Sequence, residues 1–380
     1  MRSQSKRILI FRIGELGDTL IALPALRAIR SSFPEAHIAL LSNASSNERH
    51  VTARQILPAN GLIDEWLSYS SDTRSRLADS LSLIRRLRRN HYDLLVYLGP
   101  RIRSVSDVRR DLLFFRLSGI HQVIGHHGLT PLPPPSEAGL PPVEHETDHL
   151  LQRISLGNVS VPPSGNVDFD LELSNEEQET AAAWLSKHVL QVGSNQIVGF
   201  GPGSKWSSKV WPEERFAEVG RRLIAEANIF PIVFGGSEDR DLGERLLKVW
   251  GMGANAAGAL NVRQAAAALS HCRMYVGNDT GTMHLAAAVR IPCVAIMSAL
   301  DWPGHWSPYG SGHTVLRRHV PCEGCMLSVC TTEGLRCLKE IGTEEVVSAS
   351  LQTLMRPETT VNNPFADRER RSLASLPVGF

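Results

Sequence analysis

The chain has no apolar run of the length needed to cross a bilayer. The closest approach to a leader is the opening Lys6-Arg7-Ile8-Leu9-Ile10-Phe11-Arg12, and Arg12, Glu15 and Asp18 interrupt it before a signal core could form, so it reads as a first strand. Charge of one sign is lacking too. Lys and Arg total 40 against 39 Asp and Glu, a formal net charge of +1, which argues against a protein held to nucleic acid by a broad basic field. The basic runs at Arg85-Arg86-Leu87-Arg88-Arg89 and from Arg101 to Arg110 are local; they suit either solvated helix faces or contact with an acidic partner or a membrane surface. Six cysteines in 380 residues are too few for a secreted disulfide scaffold, and Cys272 and Cys293 sit in apolar strand-like stretches where a thiol is a small hydrophobe. The cytoplasm is the expected compartment, with a peripheral place on its membrane face as the alternative. A complete Gly-x-Gly-x-x-Gly after the first strand is also missing, since only Gly14-x-x-Gly17 stands there, and this disfavours a nicotinamide dehydrogenase.

What is present is apolar matter for two domains: 42% of residues are hydrophobic and 21% charged. Strands are expected over residues 7–13, 37–41 and 92–98, with helices behind the first loop, over 77–89 and over 147–156. Loop-like Pro and Gly between 129 and 142 and again from 157 to 165 place a boundary near 165, giving an N-terminal domain of 1–165. The plan then repeats in a domain of 166–355, with strands over 197–200, 229–234, 274–276 and 293–297 and helices over 213–227, 238–249 and 262–270. A polar tail, 356–380, follows. Strands alternating with helices mean two parallel sheets covered on both faces, an α/β architecture of two doubly wound domains facing across a cleft, where ligands sit outside the carboxyl ends of strands.

Three polar, Gly-rich loops fall at such strand ends in the second half. They are Gly201-Pro202-Gly203-Ser204-Lys205-Trp206, Gly235-Gly236-Ser237-Glu238, and Gly277-Asn278-Asp279-Thr280-Gly281, the last opening an apolar helix that carries His284. A strand-to-helix turn aims free backbone N–H groups and a helix dipole at one point, which suits a pyrophosphate. It also suits an ordinary Asn/Asp cap. Lys209 is placed either to meet a phosphate charge or simply to lie on the surface.

Together these motifs resemble the heptosyltransferases of glycosyltransferase family 9. The match runs in order through Gly14-x-x-Gly17-Asp18 with Leu23-Pro24-Ala25-Leu26, Gly201-Pro202-Gly203 leading to Lys209-x-Trp211-Pro212, Gly235-Gly236-x-Glu238, and Asn278-Asp279-Thr280-Gly281-x-x-His284. The resemblance implies a GT-B fold of two Rossmann-like domains and inverting transfer from a nucleotide-activated sugar, typically ADP-heptose, to a lipopolysaccharide-type glycan or glycolipid, with no catalytic metal. It implies Asp18 as general base and Lys209 as a donor-phosphate contact. Gly203, Ser204, Glu238, Asp279, Thr280, Gly281 and His284 complete the donor site, Glu238 at the ribose. Where relatives often carry Asp-Leu-Gln-Gly in the first domain, this chain has Tyr97-Leu98-Gly99-Pro100 followed by Arg101 and Arg103, which become the candidate acceptor contacts.

Cys322-x2-Cys325-x4-Cys330-x6-Cys337 could supply four thiolates to a structural zinc or iron, or remain reduced, or pair. The loop from Asp301 to Tyr309, with Trp302, His305 and Trp306, either stacks on a ligand or packs over a sheet edge. His145 and His149 are read as capping or surface residues of the helix they begin. Two function classes stay open: a glycosyltransferase, and a two-domain nucleotide-binding module without transfer activity. A carboxylate at Asp18 opposite a phosphate site favours the first. As an alternative, Asp18 could be the N-cap of a helix starting near Thr19.

Overall fold

The computed structural model describes residues 6–44, 51–70, 76–129, 131–136, 139–189 and 196–357. Of the expected tail, residues 358–380 lie outside the described residues. The first half runs β1 (Arg7–Arg12), α1 (Leu16–Ser32), β2 (His37–Ala44), α2 (Ala53–Ile56), β3 (Glu65–Ser70), α3 (Arg76–Asn90), β4 (Leu94–Tyr97), α4 (Val105–Leu117), β5 (Gln122–Ile124) and α5 (Glu146–Ser155). The second runs α6 (Asn175–Val189), β6 (Gln196–Gly201), α7 (Glu213–Ala227), β7 (Ile229–Val233), α8 (Arg240–Trp250), β8 (Ala254–Asn255), α9 (Val262–Leu269), β9 (Met274–Asn278), α10 (Gly281–Ala288), β10 (Cys293–Ile296), β11 (Thr314–Leu316), α11 (Arg336–Lys339) and α12 (Thr343–Met355).

All of these strands pair in parallel, in the orders β3-β2-β1-β4-β5 and β11-β10-β9-β6-β7-β8. Counted within its own half, each sheet follows the doubly wound order 3-2-1-4-5, and the second adds a sixth strand. Chain direction across the sheet reverses beside β1 in the first sheet and beside β6 in the second, and a crevice opens at such a reversal. The central strands are apolar on both faces, as helices on both sides require: Ile8, Leu9 and Ile10 of β1 are fully buried. One apolar cluster runs without a break from Ile8, Leu20 and Leu26 to Phe230, Met283 and Leu285, so the two halves share a core through α1 and α10.

Sequence reading found the buried strands and overlooked the edge. β3 (Glu-Trp-Leu-Ser-Tyr-Ser) is half polar because it closes one side of its sheet, and the arginines of α4 hide its helical period. The helix after the first loop begins at Leu16, three residues earlier than a start near Thr19. Asp18 is therefore not its N-cap. It stands at the third helical position, where its Oδ2 accepts the Glu15 amide at 2.9 Å and closes a capping box. In the second half the helix expected from Glu238 is a 3-10 turn over Ser237–Asp239 followed by α8.

Candidate functional site

The site is built where α1 and α10 meet. Gly14 has φ +150°, a conformation open to glycine, and a Cβ there would stand 2.1 Å from that of Asp18. The bend lets the Asp18 carboxylate fold back over the loop. Arg12, at the end of β1 and only 3% exposed, holds it from below: its guanidinium donates to the Asp18 carbonyl at 2.9 Å and to the Leu98 carbonyl at 2.9 Å, and lies 3.6 Å from Asp18 Oδ1. About a quarter of the Asp18 side chain (25%) remains open. Burial raises the Asp18 pKa above the ordinary carboxylate value; Arg12 and the Glu15 amide oppose the rise without cancelling it. A carboxylate in this state accepts a proton more readily than a free one.

Across from it stands the turn after β9. Asn278 is wholly buried and knits two loops, its Nδ2 donating to the Pro202 carbonyl at 2.7 Å and its Oδ1 accepting the Trp211 amide at 3.1 Å. Thr280 is the N-cap of α10, its hydroxyl accepting from the Thr282 amide at 3.3 Å and lying 2.8 Å from the Thr282 hydroxyl. The turn is thus capped, but by Thr280 and not by the Asn or Asp expected: Asn278 is taken up by the two loops and Asp279 pairs with Lys209. Lys209 sits in a 3-10 turn, its ammonium 2.7 Å from Asp279 Oδ2 and 5.4 Å from the Trp206 ring centroid. It is tied to the turn after β9 and is not a loose surface lysine. His284 is 6% exposed, and burial, with His145 and Lys209 nearby, lowers its pKa to about 3, so the ring is neutral near pH 7.

The two halves touch at this point. A Cβ on Gly17 would come 2.8 Å from the His284 ring, and one on Gly281 would come 2.8 Å from the Leu16 side chain. Lys205 of the second half reaches Glu15 of the first at 2.5 Å. Asp18 therefore lies within the electrostatic reach of Lys209, which lowers its pKa slightly.

The remaining candidates divide. Gly203 closes on Asp239, whose Oδ1 would be 2.0 Å from an added Cβ, and Ser204 accepts the Trp206 amide at 3.3 Å. Glu238 is exposed beside them. Asp239, which the motif reading passed over, is the carboxylate that braces this corner: it accepts the Gly236 amide at 3.0 Å, and burial raises its pKa. Arg103 is engaged inside the first domain, 2.5 Å from Asp111, which also takes the Tyr97 hydroxyl at 2.9 Å. Arg101 is mostly buried, 3.9 Å from Glu144. Both arginines are ion-paired within the first domain.

Among the described residues the four clustered cysteines form no metal-holding group, although Cys322 and Cys330 lie near enough to Cys337 for their charges to act on it. All are free thiols, and among the described residues no three His, Cys, Asp or Glu are placed to hold a metal ion. Cys330 Sγ instead accepts the Leu335 amide at 3.2 Å, which favours its thiolate, whereas burial pushes Cys337 up. His145 caps α5 as expected, accepting the Thr147 amide at 3.0 Å, whereas His149 is neither a cap nor on the surface: it is buried within α5, its Nδ1 3.0 Å from Glu144 Oε1.

The loop at 301–309 packs on the first domain. Trp302 Nε1 donates to the Pro133 carbonyl at 2.8 Å, Val143 N to the Pro303 carbonyl at 2.9 Å, and the Tyr309 hydroxyl to Asp148 at 2.8 Å. His305, wholly buried, lies 2.9 Å from Asp301 and 3.2 Å from Glu146, itself 0% exposed. Burial alone would lower the His305 pKa, but its hydrogen bonds to Asp301 and Glu146 carry it up to about 9. No sequence signal pointed to Glu146.

Residues 149–336 match the family model described as glycosyltransferase family 9 (heptosyltransferase). The chain is similar to lipopolysaccharide heptosyltransferase 3 of Escherichia coli K12, with 26% identity over 77% of this chain and 82% of that one. Similarity to lipooligosaccharide heptosyltransferase 2 of Haemophilus influenzae is 28% over 39% of this chain, and the alignment spans under half (44%) of that relative. Among solved structures, a glycosyl transferase family 9 protein of Veillonella parvula superposes with a TM-score of 0.69 at 22% identity, over 93% of this chain and 99% of that one. The fold is thus GT-B, two Rossmann-like domains facing across a crevice.

Proposed function

We propose that this chain, which belongs to glycosyltransferase family 9, moves a heptose from ADP-heptose to a lipopolysaccharide-type glycan or glycolipid by an inverting displacement. The observation that carries the reading is the meeting of α1 and α10, which sets a carboxylate of raised pKa opposite a helix start and a lysine. In one in-line step the acceptor hydroxyl attacks the anomeric carbon, the bond to the nucleoside diphosphate breaks, and the hydroxyl proton passes to Asp18. Charge growing on the leaving diphosphate is met by Lys209 and by the Thr280 and Gly281 amides at the start of α10. Asp279 fixes the Lys209 ammonium, and neutral His284 fills the wall behind it. No metal ion takes part in this scheme.

Contact with a membrane surface would bring such an acceptor within reach. α4 exposes Val105 (63%), Leu113 (58%) and Leu117 (50%), and its neighbour α3 exposes Leu81 (52%). The exposed Arg85, Arg89, Arg109 and Arg116 stand among them, and Arg88 joins the two helices by donating to the Leu117 carbonyl at 2.8 Å. Aliphatic side chains ringed by arginine suit an anionic lipid surface.

Asp18→Asn tests the base directly. Asparagine can still accept the Glu15 amide, so the variant should fold and bind ADP as the parent does, while turnover falls at least about a hundredfold. Transfer by the folded variant at the parent's rate would remove Asp18 from the reaction.

A further inference from the structure

A line of buried charge runs from the second domain to Asp18. Asp301 and Glu146 flank His305 at 2.9 and 3.2 Å; the other Glu146 oxygen lies 4.0 Å from Arg12 Nη1; and Arg12 Nη2 lies 3.6 Å from Asp18. The signs alternate along it. His305 and Glu146 are each 0% exposed and Arg12 is 3% exposed, so water screens little of this. Glu146 Oε1 is buried without a hydrogen-bond partner, a costly arrangement for a carboxylate that served packing alone. It does face Arg12, the same guanidinium that holds Asp18.

We propose that Glu146 and His305 are positioning residues for Asp18, a charge pair spanning the two domains that sets how much of the Arg12 guanidinium is available to the Asp18 carboxylate. This rests on the reading of Asp18 as the base. With His305 protonated, Glu146 is neutralised from the donor-domain side and draws less on Arg12. Withdrawing the 301–309 loop would free Glu146 to compete for Arg12 and so raise the affinity of Asp18 for its proton. The acceptor-side base is thereby tied to the seating of a donor-domain loop. The loop is seated by backbone as well as by charge, since the Glu146 amide donates to the His305 carbonyl at 3.1 Å and His145 Nε2 lies 3.0 Å from the Ser307 carbonyl.

The other charges in view are few. Glu146 also faces His149 and Arg153 on its own helix, His305 faces His145, and Asp18 faces Lys209. None of these is changed by the test. Burial raises Asp18, and Glu146 adds to the rise while Arg12 opposes it, so the two substitutions below act in opposite directions.

The experiment is the pH profile of kcat/KM for transfer from ADP-heptose in the full chain, with the parent, Glu146→Gln, His305→Gln and Asp301→Asn compared. Loss of the Glu146 charge should move the acid limb down, and loss of the His305 charge should move it up, each by on the order of half a pH unit. Asp301→Asn, at the outer end of the line, also removes a negative charge; it should move the limb down by less than Glu146→Gln does, and remains usable if Glu146→Gln fails to fold. A carboxylate titration of Asp18 by ¹³C NMR in the nucleotide-free protein should repeat the same order of shifts without any turnover. Reduced rates with an unmoved limb, or shifts in one direction for both charges, would overturn the positioning role. If Asp18→Asn abolishes the limb while these variants leave it alone, the base reading stands and this inference falls; if Asp18→Asn retains rate and limb, the base reading itself falls.

Discussion

Replacing Gly17 by alanine probes the contact on which the site depends. Position 17 is the second residue of α1 and carries no positive φ, so by helix propensity alone the change would add up to about 1 kcal/mol of stability. The tertiary structure says otherwise. The new methyl would stand 2.8 Å from His284 Cδ2 and 3.4 Å from its Nε2, where 3.4–4 Å is ordinary contact, so the ring must retreat by about 0.6 Å or more or the two helices must separate. The ring has little freedom: it is 6% exposed and packed edge-on to Trp306 with centroids 6.1 Å apart. Overpacking of this kind costs about 1–3 kcal/mol, which outweighs the propensity gain, and the net expectation is a loss of about 1 kcal/mol. A shift approaching 1 Å between base and donor should cost transfer far more, about 10- to 100-fold in kcat, with ADP affinity nearly kept. Thermal melts, calorimetry with ADP and transfer rates measure the three quantities. His284→Ala in the same chain removes the ring, so the double variant should be less impaired than the sum of the singles. A Gly17→Ala protein that melts higher and transfers at the parent's rate would mean that α1 and α10 do not meet in the working enzyme.

Other outcomes follow from the same geometry. Lys209→Ala strands Asp279, whose side chain is 4% exposed, and removes a phosphate partner; ADP binding by calorimetry should weaken about tenfold or more, and unchanged affinity would count against the donor assignment. Burial holds His145 at about 4 and His284 at about 3, so both stay neutral in the folded chain while the unfolded chain takes up protons below about 6.5. Their stability contribution is present above the unfolded pKa and lost as pH falls through the folded one; urea melts should show about 1–2 kcal/mol less of that acid loss in His284→Asn between pH 7 and 5, and an identical slope would refute it. On the alkaline side His305 works in the opposite sense, adding stability below about 6.5 that disappears as pH rises through about 9. For the α3/α4 face, the parent should sediment with phosphatidylglycerol vesicles and not with phosphatidylcholine vesicles at moderate salt, and Leu113→Asp with Leu117→Asp should abolish this. Equal sedimentation of parent and variant would dismiss the surface.

The sequence by itself determined the parts that obey local rules. Continuous apolar runs such as Ile8-Leu9-Ile10 can only be strands covered on both faces, and Gly-rich turns at their ends can only lie along one sheet edge, so the two doubly wound halves and the loops of Asp18, Gly203 and Asp279 were legible. The pairing of strands in space decided the rest. That Asp18 stands at the third helical position, accepting the Glu15 amide, depends on where α1 starts, which the bend at Gly14 and the grip of Arg12 on the Asp18 carbonyl decide. The ion pairs of Arg101 and Arg103 were not legible, because a sequence shows charge and not partner, and Glu144 and Asp111 come from separate turns of chain. The four cysteines satisfied metal spacing, yet spacing along the chain does not fix the side-chain geometry a metal needs, and among the described residues no three such groups are placed to hold one. Glu146 and His305, 159 positions apart, meet only because the 301–309 loop of one domain is laid across the start of α5 in the other. A buried carboxylate of this kind leaves no mark in a sequence, since its pattern is that of any glutamate in the first turn of a helix, and its charge acquires meaning only from the histidine and arginine that folding places against it.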